Sequence, residues 1–462
     1  MQELIVKGAV EIVALLRAGE ITISDTLEAL ETRIEQVDSS INALPTLCMD
    51  RAREAAKSCD QKESILSGLP VAIKDLTDVS GVRTTYGSMV NQHHVPAHSD
   101  FLVENLEAHG AVVYAKSNTP EFGSGGNTFN DVFGATCNPY DSTRTVGGSS
   151  GGAAAALASG TAWLAQGSDL GGSLRTPASF CGVTSLRPSA GLMARTSGMQ
   201  PFQVYSQAGP MARCIADLAL FADAMTGSSP LMGLSQKQGS SDFRSAAATP
   251  RKPARIAYSV DLGITETATE VTDVCSEAIA RLEIDSIAVE LAHPDLSMAN
   301  AAFDVPRALD YAQSHGAVLD SIRDIIKPEN VWNIEYGMSL GADEIRASMD
   351  AQGQIFHHAT GFMQDYDLLI CPAAVVAPFS VEERYPGYGD GLEYSEYYRW
   401  LAIAYAITTT TLPVITLPCG KTKSGLPVGI QLVGKAHGEQ QLFSFASYIE
   451  RLMEWDPLQM IR

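Results

Sequence analysis

Two serines set in glycine frames, some two dozen residues apart, constrain this chain more than any other feature. The first frame is Gly147-Gly148-Ser149-Ser150-Gly151-Gly152, and the second is Gly167-Ser168-Asp169-Leu170-Gly171-Gly172-Ser173-Leu174-Arg175. Glycine clusters of this kind admit backbone shapes and close approaches that a Cβ forbids. Each frame therefore reads as a tight turn. A flexible Gly/Ser linker would not explain the alanine-rich stretch from Gly151 to Ala158, which reads as a helix starting straight after the first turn. Upstream, Gly68-Leu69-Pro70-Val71-Ala72-Ile73-Lys74-Asp75 reads as a short buried strand that delivers Lys74.

A lysine, a serine in a tight turn and a second serine preceded by two glycine N–H groups form the inventory for acyl transfer: base, relay, nucleophile and oxyanion site. Ser173 is the expected nucleophile. The consecutive N–H groups of Leu170, Gly171, Gly172 and Ser173 can curl into a nest for the oxyanion, where one donor is typically worth about 3–4 kcal/mol. Ser149 is the expected relay. Ser150 is expected to cap the following helix or to join the site through its hydroxyl. Lys74 must be neutral to act as a base, and burial lowers a lysine pKa. Asp75 follows it on the strand and points to the opposite face, which suits a structural role. Asp169 and Arg175 are expected to brace the nucleophile loop, and Asp141 with Arg144 the Ser149 turn; all four also read as plain loop ion pairs.

Motif order and spacing resemble the amidase signature family, whose members hydrolyse amides with a Ser–Ser–Lys triad. The resemblance runs from about Ser67 to Arg213 and returns near Asp365–Pro372, Leu412–Ile415 and Gly425–Gln431. Lys116-Ser117-Asn118-Thr119-Pro120-Glu121 and Asn138-Pro139-Tyr140-Asp141 also carry it. It implies an α/β amidase signature fold, with a mixed central β-sheet covered by helices on both faces. It also implies one domain over residues 1–462. That domain comprises N-terminal helices (1–60), a signature core (61–226), a loop (227–254) and a divergent substrate-pocket half with C-terminal strands (255–462). Lys74, Ser149 and Ser173 would form the triad, with Ser149 in a cis peptide. Gly123 and Gly125 stand where relatives carry pocket-lining residues, which implies a roomy substrate-binding site beside Ser149. No cofactor and no metal are implied. The reaction partners are a small-molecule amide and water, and a homodimer is compatible with the family.

Composition narrows the remaining classes. The formal charge of −21 repels phosphate backbones and anionic surfaces, so neither nucleic acid nor membrane is an expected partner. No apolar run approaches the ~20 residues of a membrane helix, and the start, Met1-Gln2-Glu3-Leu4, has no signal-peptide pattern. The eight cysteines form no C-x-x-C pair, so free thiols in a reducing cytoplasm are expected, with Cys181 a packing residue. His93, His94 and His98, and the pair His357-His358, lie at no metal-ligand spacing and read as solvated loops. Along the chain, 7–17 and 25–38 read as helices, the second capped by Ser24. Strands are expected at 69–73, 111–115, 161–166 and 254–260, helices at 268–282 and 300–326, and a surface loop over 227–254.

Trp400-Leu401-Ala402-Ile403-Ala404-Tyr405-Ala406-Ile407 carries no charge. It points to an apolar acyl or aryl pocket lined by Tyr394, Tyr397, Tyr398, Trp400 and Tyr405, although these residues read equally well as core. Hydrophobic or aryl amides and anilides are the expected substrates, with carbamates (urethanes) and esters sharing the same carbonyl geometry. The alternative is the glutamine-hydrolysing component of a tRNA-dependent amidotransferase (its A chain type), in which an acidic residue is expected shortly before the C-terminal Leu-Pro. A scaffold protein retaining the fold is a reading from another class. A Ser-His-Asp hydrolase is a further one: Gly147-Gly148-Ser149-Ser150-Gly151 satisfies G-x-S-x-G in spacing, but the sequence offers neither a strand before it nor evident Asp and His partners.

Overall fold

The computed structural model describes residues 2–59, 63–193, 195–196, 201–230, 232–235, 242–387 and 396–461. Short apolar runs, many of them rich in Val, Ile and Leu, assemble as one mixed sheet of eleven strands. In chain order these are β1 (Thr46–Leu47), β2 (Pro70–Lys74), β3 (Val112–Ser117), β4 (Leu164–Asp169), β5 (Thr184–Arg187), β6 (Gln207–Ala212), β7 (Arg255–Tyr258), β8 (Ala288–Leu291), β9 (Leu368–Pro372), β10 (Val414–Lys421) and β11 (Pro427–Val433). Their spatial order is β1-β3-β2-β4-β6-β5-β10-β11-β9-β7-β8. Every residue of β2, β3, β6, β9 and β11 is buried, so helices cover both faces of the sheet.

The register at the centre of the sheet positions the site. β2 and β4 run parallel, with Ala72 opposite Ala165 and Ile73 opposite Gln166. Their C-terminal ends emerge side by side, one strand spacing (~4.8 Å) apart. Lys74 therefore ends its strand next to the start of the Gly167–Arg175 turn. β5 pairs with β10, so strands from both halves of the chain complete one sheet.

Several local expectations are corrected. The helices near the N-terminus span Ala9–Ala18 and Ile23–Ile41, and the second is capped by Thr22, not Ser24. Thr22 is extended; its Oγ1 accepts from Asp25 N at 3.1 Å, and its own N–H donates to Asp25 Oδ2 at 2.7 Å. Ser24, already helical, cannot make this reciprocal pair. β4 starts at Leu164 rather than Thr161, because Gly160 (φ +79°) and Thr161 close the helix Gly151–Ser159. The 227–254 stretch is not all loop: Phe243–Ala248 is a helix capped by Asp242, and the Phe243 ring packs on Phe443 at 5.0 Å. Part of that stretch, 236–241, lies outside the described residues.

A five-residue strand, Asp141–Thr145, does precede the Ser149 turn, paired with Cys137–Asn138. His93, His94 and His98 are exposed in a loop, whereas His357 and His358 are exposed on helix Ala342–Phe362. All eight cysteines are free. Cys181 is fully buried, and burial pushes its thiol far above the ordinary range. No helix among the described residues is long and apolar enough to cross a membrane.

Candidate active site

Lys74 is 0% exposed. Its Nζ lies 2.7 Å from Ser149 Oγ, 2.9 Å from Ser150 Oγ and 3.1 Å from Ser168 Oγ. Its backbone N–H donates to Gln166 Oε1 at 3.1 Å, tying the end of β2 to β4. Burial pushes the ammonium down to about 7, against the opposing pull of the Asp169 carboxylate. A half-neutral amine near pH 7 is the form a general base requires. Asp75 points the other way, as the strand alternation requires. It accepts from Thr85 N at 3.1 Å and Thr85 Oγ1 at 2.6 Å, and faces Lys116 at 3.5 Å.

The Ser149 turn is held from within. Gly147 (φ +71°) donates from its N–H to Thr145 Oγ1 at 3.0 Å and accepts at its carbonyl from Thr128 Oγ1 at 2.7 Å. The Gly148–Ser149 peptide is cis. Ser150 occupies the N-cap position of helix Gly151–Ser159 without a side-chain cap bond. Its hydroxyl instead serves the site: besides Lys74 it reaches Ser168 O at 3.2 Å and accepts from Ser168 N at 3.2 Å. Its N–H donates to Ser173 O at 3.1 Å, which fastens the two serine loops together. Asp141 and Arg144 form a largely solvated pair at 3.7 Å and do not brace this turn, since both side chains are over 40% exposed.

Asp169 organises the second loop. Its carboxylate accepts from Gly172 N and Leu174 N, both at 3.0 Å, and from Arg175 Nη2 at 2.8 Å and Nε at 3.0 Å. Burial alone would raise this carboxyl, but Arg175, Arg187 and the loop N–H groups hold it well below the usual range. Arg175 continues to Ala404 O (2.6 Å), Gln431 Oε1 (2.7 Å) and Thr408 Oγ1 (2.7 Å). Arg187 donates to Asp169 O and Tyr205 O, each at 2.7 Å. Because Gly172 N–H is bound to Asp169, the N–H groups of Leu170, Gly171 and Ser173 are the ones with no acceptor among the described residues. Gly172 itself must be glycine: φ is +111°, and a Cβ would stand 2.6 Å from Ala404 Cβ.

Ser149, Ser168 and Ser173 line one wall of a 160 Å³ cavity, with Gly123, Leu170, Leu76 and Phe122 around them. Asp310, Tyr311, Ser314 and His315 of helix Ala299–His315 also line it. Through Leu76, Phe122, Ser168, Ser206, Ser314 and His315 it opens into a larger 590 Å³ cavity that reaches Arg195 and Asp100. Gly125 is not part of this lining; its α-carbon faces Tyr397 and Lys327.

The aromatic residues expected to line the pocket pack elsewhere. Trp400 is buried against Phe180 and Phe379, Tyr405 stacks on Phe303 at 4.4 Å, and Tyr397 and Tyr398 surround Arg307. Tyr394 lies outside the described residues. The uncharged segment thus backs the glycine loop instead of facing the cavity. The aromatic walls are Phe122, Tyr311 and His315. The signal for Tyr311 and His315 in the sequence is the recurrence of polar and aromatic residues at 307, 310, 311, 314 and 315, one face of a helix. Ser168 sits inside the second glycine frame yet carries no signal of its own, and neither does Arg187.

The amidase family model matches residues 25–443. The chain belongs to the amidase family. Relatives of this amidase include an acylamidase of Rhodococcus erythropolis, 31% identical over 97% of this chain and 96% of that protein. The glutamyl-tRNA(Gln) amidotransferase component of the A type from Alkaliphilus metalliredigens is also 31% identical, over 94% and 93%. Among solved structures, a bacterial aryl acylamidase of the amidase signature family superposes with a TM-score of 0.90 at 25% identity, covering 97% of both chains. A 6-aminohexanoate cyclic dimer hydrolase shares the fold at a TM-score of 0.89 and 24% identity, over 99% of this chain. The amidase signature fold and an amide-hydrolysing activity follow from these matches.

The rate of amide cleavage is expected to follow Lys74. With Lys74 as the base, kcat/KM should rise with pH through about 7 and level off above it, since a general base acts as the neutral amine. An unfolded lysine keeps its proton up to about 10.5, so between about 7 and 10.5 the unfolded chain binds more protons and Lys74's contribution to stability grows with pH. A pH–rate profile on a neutral anilide measures the first limb; a flat profile from pH 5 to 9 would exclude Lys74 as the base.

Proposed function

We propose that this amidase cleaves small aryl or apolar amides and anilides through an acyl-enzyme on Ser173. Lys74, as the free amine, draws a proton through Ser149 as Ser173 Oγ attacks the amide carbonyl. The oxyanion is met by the N–H groups of Leu170, Gly171 and Ser173, and the proton returns through Ser149 to the leaving amine nitrogen. Water then attacks the acyl-serine by the same relay and releases the acid. The observation that carries this reading is the buried Lys74 amine at 2.7 Å from Ser149, beside a cavity that Ser149 and Ser173 both line. Urethanes and esters present the same carbonyl to the same groups and fall within the proposed range. Asp169, Arg175 and Arg187 hold the loop and touch no reacting atom.

The glutamine-hydrolysing reading is kept alive by the equal identity to the amidotransferase component. Against it, Ala402–Thr409 is an entirely buried helix without a charge. Competing glutamine and an acyl anilide in one assay decides between them. The anilide is expected to have the higher kcat/KM by at least tenfold; a preference for glutamine would overturn the aryl-amide reading.

A further inference from the structure

Asp310 is a charge in the inner cavity that the acyl-transfer chemistry does not use. It shares that cavity with Ser149 and Ser173, and burial raises its carboxyl from the ordinary value. Its electrostatic neighbours among the described residues are Arg195 and Arg307, and it makes a hydrogen bond or close ion pair with neither. Arg307 is engaged elsewhere, and Arg195 only in part, since its buried Nε has no hydrogen-bond partner. Arg195 Nη2 donates to Ser206 O at 3.0 Å. Arg307 donates to Asn333 Oδ1 and to the Tyr397 hydroxyl, with the Tyr398 ring 4.3 Å from its carbon. Asp100, in the adjoining cavity, is satisfied differently: it accepts from Leu102 N at 2.8 Å and Thr196 N at 3.2 Å. Among the described residues Asp310 thus lines the cavity half-buried and without a hydrogen-bond partner, open to a donor that enters.

The surroundings specify the donor. Phe122 and Tyr311 line the same cavity, and the Phe122 ring stacks on His315 at 4.3 Å. A carboxylate in a cavity lined by aromatic residues can hold an ammonium by a charge-assisted hydrogen bond; the Tyr311 ring already carries the Arg307 guanidinium at 5.1 Å. Burial holds His315 below its ordinary value, so it brings no competing positive charge at neutral pH. The linings of the two cavities carry two carboxylates, Asp310 and Asp100, and one guanidinium, Arg195, while the Arg307 guanidinium acts on Asp310 from outside the lining. The formal charge of −21 draws cations toward the surface from a distance.

We propose that Asp310 is a specificity-determining residue that selects amides bearing a primary ammonium group, held a cavity's width from the carbonyl to be cleaved. The proposal rests on the reading of Lys74, Ser149 and Ser173 as the amide-cleaving centre. The ammonium remains intact throughout the reaction; it is bound, not transformed. Its body would lie against Phe122 and Tyr311, which reconciles an aryl or alkyl chain with a charged end.

Matched substrate pairs test it. On the acyl side, 4-aminobutanoyl p-nitroanilide is compared with pentanoyl p-nitroanilide. On the amine side, the N-acetyl anilide bearing a para aminomethyl group is compared with its para-ethyl counterpart. In at least one pair the wild-type enzyme should prefer the ammonium member by tenfold or more in kcat/KM. In Asp310→Asn that ratio should collapse to near unity, and in Asp310→Glu it should persist. Circular dichroism and each variant's rate on the neutral member establish that the variants are folded. No preference in either pair, or a preference that survives in Asp310→Asn, overturns the proposal while leaving the amide-cleaving centre in place. Cleavage of none of the four substrates overturns both.

Discussion

Ser173→Ala is expected to lower kcat/KM for every amide substrate by at least about a thousandfold, the scale on which loss of a serine nucleophile is felt. The reason is chemical rather than structural. Ser173 is only partly buried, and its hydroxyl lies in the cavity. Its backbone carbonyl, which accepts from Ser150 N–H, is unaffected by the substitution. The two loops should therefore stay fastened, and circular dichroism and melting temperature should match the wild type. Removing Ser168, whose hydroxyl also touches Lys74, should not reproduce the effect. A Ser173→Ala enzyme within tenfold of wild type on an anilide would mean that another group forms the acyl-enzyme.

Asp169→Ala should have the largest effect on stability, about 3–5 kcal/mol, the range seen when one partner of a buried ion pair is removed. The substitution leaves Arg175 and Arg187 buried without their carboxylate and frees the N–H groups of Gly172 and Leu174. Urea unfolding measures the loss as a shift in midpoint. Because this carboxyl is held below its ordinary value near 3.8, its contribution is present above that pH and is lost as acid titrates the folded protein. The mutant and wild-type stabilities should therefore converge on acidification. A loss below about 1 kcal/mol would show that Arg175 finds sufficient support in Thr408, Gln431 and the Ala404 carbonyl.

The legible and illegible parts of the site differ in their sequence separation. Lys74, Ser149 and Ser173 stand inside local glycine and apolar patterns, because a tight turn or a buried strand end is dictated by immediate neighbours. Asp169 and Arg175 were readable as a pair for the same reason, lying one loop apart. Thr408 and Gln431 reach that pair from far along the chain, and Arg187 from the next strand, and no local pattern marks such contacts. The aromatic cluster near the C-terminus was ambiguous because ring side chains fill cores and line pockets alike. Packing placed Trp400 and Tyr405 in the core and gave the cavity to Phe122, Tyr311 and His315. Thr22 displaced Ser24 as a cap for a finer reason: which of two neighbouring hydroxyls is extended is decided by the residue three positions on.

The brace on the serine loop also draws on parts of the chain made long after that loop. Gln431, which holds Arg175, belongs to β11, and β10 and β11 must enter the middle of the sheet beside β5 before that bond exists. Contacts so distant in sequence form late, after a large loop-closure entropy has been overcome. A ribosome-bound fragment that already carries Lys74, Ser149 and Ser173 would still lack the bonds from Arg175 to Thr408 and Gln431. Support of that loop from Gln431 is thereby available only to a chain translated through β11.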